Sequence, residues 1–84
     1  LKPEAFGADQ LEIVFAGERR SEVMAALEHL SEAHREILLL RYYDDLSYAE
    51  IADVLGVKLG TVMSRLSRSR CRLLDVMGES PIVH

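Results

Sequence analysis

Residues 46–74 constrain the fold more than any other part of the chain, because they read as two helices separated by a short turn. Ser47 and Glu50 have the spacing of a capping box, so a helix is predicted to start just after Ser47. Gly56 follows the last apolar residue of that helix, where a left-handed backbone conformation often ends a helix. A second helix is predicted over residues 59–76. Two helices joined in this way form a helix-turn-helix.

The second of these helices has an apolar side and a basic side. Apolar residues at helical spacing, with Ser69 in the same stripe, are predicted to face a core: Leu59, Val62, Leu66, Leu73 and Val76. The other side carries Thr61, Ser64, Arg65, Arg68 and Arg72.

Charge is distributed unevenly along the chain. The net charge is −4, yet five basic residues and no acidic ones lie between Lys58 and Leu73. Arginines along one helix face suit contacts with DNA phosphates and guanines. A solvated arginine face without a ligand would explain the charge alone, but the helix-turn-helix layout favours DNA binding. We expect the flank from Arg65 to Arg72 to be open to solvent.

Length and composition predict one small domain. Eighty-four residues, 49% of them hydrophobic, suffice for one compact core. No apolar run approaches the roughly 20 residues of a membrane-spanning helix, and no signal peptide is visible. The single cysteine excludes an internal disulfide and suits a reducing cytoplasm. The acidic balance predicts DNA binding that is localised and weak in isolation.

Four helices are predicted to follow one another, at 21–30, 32–43, 48–55 and 59–76, and Ser21 and Ser31 are the predicted N-caps of the first two. Predicted core residues of the first three helices are Val23, Met24, Ala26, Leu27, Leu30, Ala33, Ile37, Leu38, Leu40, Tyr43, Ala49, Ile51, Ala52 and Leu55. The expected fold class is all-α: a small domain of four to five helices containing a helix-turn-helix, winged-helix-like and without strands.

The ends of the chain are predicted to lie outside this domain. Since the chain begins with Leu1, we expect it to be a piece of a longer protein. Residues 1–20 are predicted to be an arm from an upstream domain, residues 21–77 the helix-turn-helix domain and residues 78–84 a flexible tail. Within the arm, Asp9 is the predicted cap of a short helix that Gly17 ends; its apolar residues are Leu11, Val14 and Phe15.

The apolar run over residues 37–43 is wider than one buried stripe. It either enlarges the core or provides a docking groove for a partner helix. Candidate partner-binding residues are Leu38, Leu39, Tyr42 and Tyr43.

No residue pattern indicates catalysis, a cofactor or a metal site. His29 and His34 have no cysteine or carboxylate at metal-ligand spacing and are predicted to be surface or boundary residues. Cys71 lies between Arg70 and Arg72, which would lower the pKa of a thiol, but we expect an ordinary buried or half-buried side chain. An enzyme is not expected.

Four motifs carry a family resemblance. They are an L-x-x-L ahead of HRE at 27–36, LRY at 40–42, LSYAEIA at 46–52 and, most specific, GTVMSRLSRSR at 60–70. With these motifs, residues 25–74 closely resemble region 4 of the extracytoplasmic-function (group IV, sigma-70 type) sigma factors.

The resemblance implies a subunit that gives bacterial RNA polymerase its promoter choice. Region 4 of such factors recognises double-stranded promoter DNA at the −35 element with the second helix of its helix-turn-helix. It also docks on the flap of the polymerase beta subunit, and many members are held inactive by an anti-sigma factor. The DNA-binding residues implied by position are Lys58, Thr61, Met63, Ser64, Arg65, Ser67, Arg68 and Arg72, with Arg41 and Tyr48 as flanking phosphate contacts.

Two residues depart from the family pattern. Met63 stands where Lys or Arg is usual, and it offers an apolar contact, for example to a thymine methyl. Lys58 stands where Pro or Ser is common; it is a poor N-cap, although its amine can reach a phosphate. We expect Arg68→Ala to weaken −35 binding and Met63→Lys to tighten it.

Two other readings remain. A LuxR-type response-regulator output domain shares the Glu-Ile-Ala and Thr-Val elements, but the serine–arginine run and LRY favour the sigma reading. The other interpretation is that the chain is a protein-interaction module whose main partner is an anti-sigma factor.

Overall fold

A computed structural model of the chain describes residues 11–78, which are helical over most of their length. α1 covers residues 11–16, α2 is Arg20–Leu27, α3 is Glu32–Leu38, a π-helix follows at Leu39–Tyr43, α4 is Tyr48–Leu55 and α5 is Leu59–Val76. Residues 11–78 contain no strand, and the all-α prediction is confirmed. The predicted Asp9 cap, most of the arm and the tail from residue 79 lie outside the described residues. No helix in the described range is long and apolar enough to cross a membrane.

The helix-turn-helix forms as the sequence predicts. The Ser47 hydroxyl accepts a hydrogen bond from the Glu50 backbone N–H (3.1 Å), and the Glu50 carboxylate accepts one from the Ser47 N–H (2.8 Å). This reciprocal capping box starts α4. Gly56 ends α4 with φ = 69°, in the left-handed region that glycine adopts without steric cost. Both predicted helices, 48–55 and 59–76, have the predicted bounds.

One of the two other predicted N-caps is right and one is wrong. The Ser31 hydroxyl accepts from the His34 N–H and caps α3, as predicted. Ser21 does not cap α2, because that helix begins earlier, with Arg19 at its N-cap and no side-chain cap bond. Backbone bonds from the Arg20 N–H to the Gly17 carbonyl and from the Val23 N–H to the Arg19 carbonyl extend the first turn toward Gly17.

The helix predicted over 32–43 has that extent, but its last five residues form a π-helix. The Asp44 N–H bonds to the Leu39 carbonyl five residues earlier, at 2.9 Å. An i→i+5 turn holds one residue more than an α-turn and therefore shifts the direction of the side chains that follow it. Tyr43, a predicted core residue and the last residue of this π-helix, is 57% exposed, so that prediction is wrong. The chain then turns at Asp45, whose φ of 60° is tolerated because aspartate is one of the few residues that visit this region.

The core lies between α3 and α5, the two helices in most extensive contact. α1, α2 and α4 close it from the sides. Its buried hydrophobic residues are Leu11, Phe15, Val23, Ala26, Leu27, Leu30, Ile37, Leu38, Ile51, Val62, Leu66, Leu73 and Leu74. α1 thus packs against the rest of the domain through Leu11 and Phe15.

Four further predicted core residues are wrong. Ala33, Ala49, Leu59 and Val76 are exposed. Ala33 and Ala49 lie in the first turns of α3 and α4. Leu59 and Val76 are the first and last residues of α5, where the helix ends reach past the elements that cover its middle.

Candidate nucleic-acid interface

The predicted binding residues on α5 lie on the side of the helix that faces away from the core. Lys58, Met63, Ser64, Arg68 and Arg72 are exposed, and Thr61, Arg65 and Ser67 are half-buried. The opposite side is fixed by Val62, Leu66 and Leu73, none of which is exposed. The structure therefore brings eight predicted residues together at one accessible helix surface, which we call the α5 outer face.

Four cations of the α5 outer face have no carboxylate partner among residues 11–78. Lys58, Arg65, Arg68 and Arg72 form no ion pair there, and the sequence places no acidic residue between Lys58 and Leu74. Cations without intramolecular partners are available to phosphates. This surface is therefore positive although the chain as a whole is acidic.

The N-terminal turn of α5 is open on its outer side. A Cβ added at Gly60 would meet no atom within 4 Å. Lys58 occupies the N-cap and makes no side-chain bond to the first turn, as its identity predicts. The Ser64 hydroxyl donates to the Thr61 carbonyl at 3.3 Å and still has its lone pairs available to another donor. A ligand can approach the backbone closely at this end of the helix.

The prediction that the whole flank from Arg65 to Arg72 is open to solvent is wrong at Arg70. Its side chain is buried, with 3% of the residue exposed. Nε donates to the Tyr42 hydroxyl at 2.7 Å and Nη2 donates to the Tyr48 hydroxyl at 2.9 Å. Arg70 follows Leu66 by four residues and precedes Leu73 by three, so its spacing already placed it beside the apolar stripe. Only the two tyrosines, which come from other elements, make that position favourable for a guanidinium.

Arg70 belongs to a group of aromatic and basic side chains that we call the tyrosine–arginine cluster: Phe15, Arg41, Tyr42, Tyr48 and Arg70. The Phe15 and Tyr42 rings stack, with centroids 4.9 Å apart and planes 8° apart. The Arg41 guanidinium lies 5.4 Å from the Tyr48 ring centroid. Burial raises the pKa of Tyr42, and the neighbouring Arg70 charge opposes part of that rise. The cluster links α1, the π-helix, α4 and α5.

Arg41 and Tyr48 therefore have intramolecular partners. Arg41 donates to the Leu46 carbonyl at 3.0 Å and lies 3.5 Å from the Glu12 carboxylate, and the Tyr48 hydroxyl accepts from Arg70. Their predicted role as phosphate contacts stays a prediction.

The predicted partner-binding residues differ in accessibility. Leu38 is fully buried and supports the core, so its side chain does not form an exposed docking surface. Leu39 and Tyr42 are half-buried, and Tyr43 is exposed. Tyr43 lies at a groove of about 730 Å³ whose lining includes Glu12, Arg20, Arg41 and Asp45. The Arg20 guanidinium is 5.3 Å from the Tyr43 ring centroid.

The cysteine and histidine considered in the sequence analysis do not form a further site in the described part of the chain. Cys71 is exposed, against the expectation of a buried or half-buried thiol. His34 is half-buried, with Nδ1 2.6 Å from the Ser69 hydroxyl, a contact that joins α3 to α5. Across residues 11–78, no group of three or more His, Cys, Asp or Glu side chains is placed to hold a metal ion.

The chain matches the family described as Sigma-70, region 4, over residues 20–73. It is 40% identical over 53 residues to the ECF RNA polymerase sigma factor SigK of Mycolicibacterium vanbaalenii, covering 63% of this chain and 27% of that protein. It is 42% identical over 59 residues to the ECF RNA polymerase sigma factor SigE of Mycolicibacterium smegmatis, covering 70% and 23%. It is 37% identical over 73 residues to the RNA polymerase sigma factor YlaC of Bacillus subtilis, covering 86% and 42%.

The chain thus spans less than half the length of these three relatives. No solved structure matches it. The family match begins at α2 and covers the helix-turn-helix except for the last three residues of α5.

Proposed function

Since the chain belongs to the sigma-70 region 4 family, in its extracytoplasmic-function group, we propose that it recognises the −35 element of bacterial promoters and thereby directs RNA polymerase to them. α5 is the recognition helix and enters the major groove; α4 supports it from behind. The observation that carries this proposal is the α5 outer face, a continuous accessible surface whose cations have no carboxylate partner in the described part of the chain. The chain acts as a binding module and not as an enzyme.

The residues of the α5 outer face divide into two roles. Arg68 and Arg65 reach guanine O6 and N7 or phosphates, since a guanidinium presents paired donors that match either group. Lys58 and Arg72, at opposite ends of the surface, contact phosphates and fix the register of the helix on the duplex. The Thr61 hydroxyl donates to a phosphate beside the helix N-terminus. The Ser64 hydroxyl can do the same only by rotating its single hydrogen away from the Thr61 carbonyl.

Core RNA polymerase and an anti-sigma factor are the proposed protein partners, and the bacterial cytoplasm is the proposed location. Region 4 docks on the flap of the beta subunit. The apolar surface proposed for this contact is formed by Tyr43 and the half-buried Leu39 and Tyr42.

A pull-down with the isolated flap, beside one with the anti-sigma protein encoded next to the gene, tests both partners. If the Tyr43→Asp variant is no longer captured but the Val76→Asp variant still is, the result supports this surface. If neither the flap nor the anti-sigma protein captures the wild-type chain, both proposed partners are contradicted.

A DNA-binding titration tests the proposed function. The −35 duplex is first selected from random-sequence DNA with the wild-type chain, and affinities are then measured by fluorescence anisotropy at several salt concentrations. Arg68→Ala is expected to weaken binding and to reduce the slope of log K against log salt, by about 0.9 if Arg68 neutralises one phosphate. Met63→Lys is expected to tighten binding, because it adds a cation to the same face.

Arg35→Ala is the control, because it removes the same charge from α3, outside the α5 outer face. If Arg68→Ala and Arg35→Ala change the affinity equally, binding is nonspecific electrostatic attraction and the assigned face is wrong. If no duplex is enriched over random DNA, the proposed function itself is contradicted.

A further inference from the structure

Two exposed apolar side chains lie at the start of the recognition helix. Leu59 is 48% exposed and Met63 is 37% exposed. They are four residues apart on α5, so they lie one above the other on the same side of the helix, about 5–6 Å between Cβ atoms. The position of Leu59 in the apolar repeat of α5 predicts a buried side chain. Its exposure is therefore known only from the tertiary structure.

This apolar pair lies in the first turns of α5, beside the polar and basic α5 outer face. Leu59 continues the stripe of Val62 and Leu66 to the exposed start of the helix, and Met63 belongs to the α5 outer face. Gly60 and Ser64 follow Leu59 and Met63 directly, and Arg68 lies one further turn along. A single exposed apolar residue needs no explanation, but two at contact spacing beside the cations of the α5 outer face provide a different chemistry. In the major groove the only apolar group that a base pair presents is the C5-methyl group of thymine.

The spacing of the pair matches that of base pairs in DNA. Four residues of α-helix rise about 6 Å, and successive base pairs are about 3.4 Å apart. Side chains one turn apart therefore reach methyl groups on base pairs one or two steps apart. Gly60 leaves room for this approach, since a Cβ at that position would meet no atom within 4 Å other than the backbone of its own helix and its chain neighbours.

We propose that Leu59 and Met63 are specificity-determining residues that select thymines through their methyl groups, at two positions of the DNA site within two base pairs of each other. The inference rests on the proposed function, because it requires α5 to enter the major groove. Leu59 thereby gains a role in base recognition. The preference for thymine depends on its methyl group and not on a hydrogen bond.

The test removes the methyl group alone. Duplexes enriched from random DNA by the wild-type chain are resynthesised with deoxyuridine in place of each thymidine in turn, and binding is measured by fluorescence anisotropy. Loss of a contacted methyl is expected to weaken wild-type binding about fourfold, the value for one buried methylene-sized group. Met63→Gln, of similar size but polar, is expected to lose this sensitivity at one position, and Leu59→Ala at the other.

Matched variants separate this effect from folding and from charge. Met63→Leu keeps an apolar side chain and is expected to retain the sensitivity to uracil. Val76→Ala alters the exposed apolar residue at the opposite end of α5 and is expected to change nothing. Met63→Lys is expected to bind more tightly overall while losing the sensitivity. Thermal melting of each variant verifies that it is folded.

The outcomes distinguish this inference from the function on which it rests. An enriched duplex without thymines, or one that tolerates uracil at every position, overturns the inference and leaves −35 recognition standing. Failure to enrich any duplex overturns both. Equal loss of sensitivity in Met63→Gln and Met63→Leu also overturns it, because the apolar character of the residue would then be irrelevant.

Discussion

At the residue scale, burial and not residue type decides what each arginine of α5 does. Arg68 and Arg72 are exposed and accessible to a ligand, whereas Arg70 is held by the hydroxyls of Tyr42 and Tyr48. A buried guanidinium is costly unless its donors are satisfied. The two tyrosine hydroxyls and the aromatic faces of the tyrosine–arginine cluster supply part of that compensation, without a carboxylate.

Arg70→Ala is expected to lower the free energy of unfolding by about 2–4 kcal/mol, because it leaves two tyrosine hydroxyls without their donor and opens a cavity beside α5. Arg68→Ala is the control and is expected to change it by no more than about 0.5 kcal/mol. Urea denaturation followed by circular dichroism measures both. Equal stability of the two variants would show that Arg70 is not structurally important.

The two glycines that flank the turn provide a second residue-scale contrast. Gly56 has φ = 69°, which an alanine adopts only with strain, and Gly60 is an ordinary helical residue with open space around it. Gly56→Ala is therefore expected to destabilise the chain by about 1 kcal/mol or more. Gly60→Ala is expected to stabilise it by about 0.5–1 kcal/mol, since alanine is the better helix former. Thermal melting that ranks the two in the opposite order would contradict the assigned backbone conformations.

At the element scale, helix starts depend on which backbone N–H groups find an acceptor. Ser47 and Ser31 occupy N-caps and accept from the N–H three residues on, whereas Ser21 lies one residue inside α2. The three serines look equivalent in the sequence. They differ because Gly17, in the turn after α1, already accepts a bond from the Arg20 N–H.

Ser47→Ala is expected to destabilise the chain by about 1 kcal/mol, the usual cost of losing an N-cap. Ser21→Ala, which removes no cap, is expected to be neutral or slightly stabilising because alanine favours helix interiors. Chemical denaturation of the two variants provides the comparison. A larger loss for Ser21→Ala would mean that α2 begins where the sequence alone predicts.

At the scale of the whole molecule, α1 is packed as part of the domain. Leu11 is fully buried, and Phe15 stacks on Tyr42 of the π-helix. The predicted domain boundary at residue 20 and the description of residues 1–20 as an arm stay predictions, and the family match also begins at residue 20. We therefore propose that the functional domain extends at least to Leu11.

Leu11→Ala is expected to reduce the free energy of unfolding by about 2–4 kcal/mol, as for other leucines removed from a core. Ile13→Ala, on the exposed side of the same helix, is expected to change it by less than about 0.5 kcal/mol. Denaturant titration measures both changes in the free energy of unfolding. If α1 were a detached arm, both substitutions would have the same small effect.

The local chemistry of the chain determined the helices of the helix-turn-helix, the all-α class and the α5 outer face. A capping box, a left-handed glycine and a 3.6-residue repeat each act within one or two turns, so they can be read from neighbouring residues. Two of the four family motifs, at 46–52 and 60–70, also lie in the helix-turn-helix.

Only the tertiary structure decided the setting of Arg70, the exposure of Leu59 and Tyr43, and the packing of α1. Arg70 is buried because Tyr42 and Tyr48, more than twenty residues away in the sequence, meet it in the fold. Leu59 is exposed in the first turn of α5 and Tyr43 at the end of the π-helix, because packing between distant parts of the chain leaves these two positions uncovered. Periodicity identifies which residues share a helix face, but what covers each part of that face depends on contacts between residues distant in the chain.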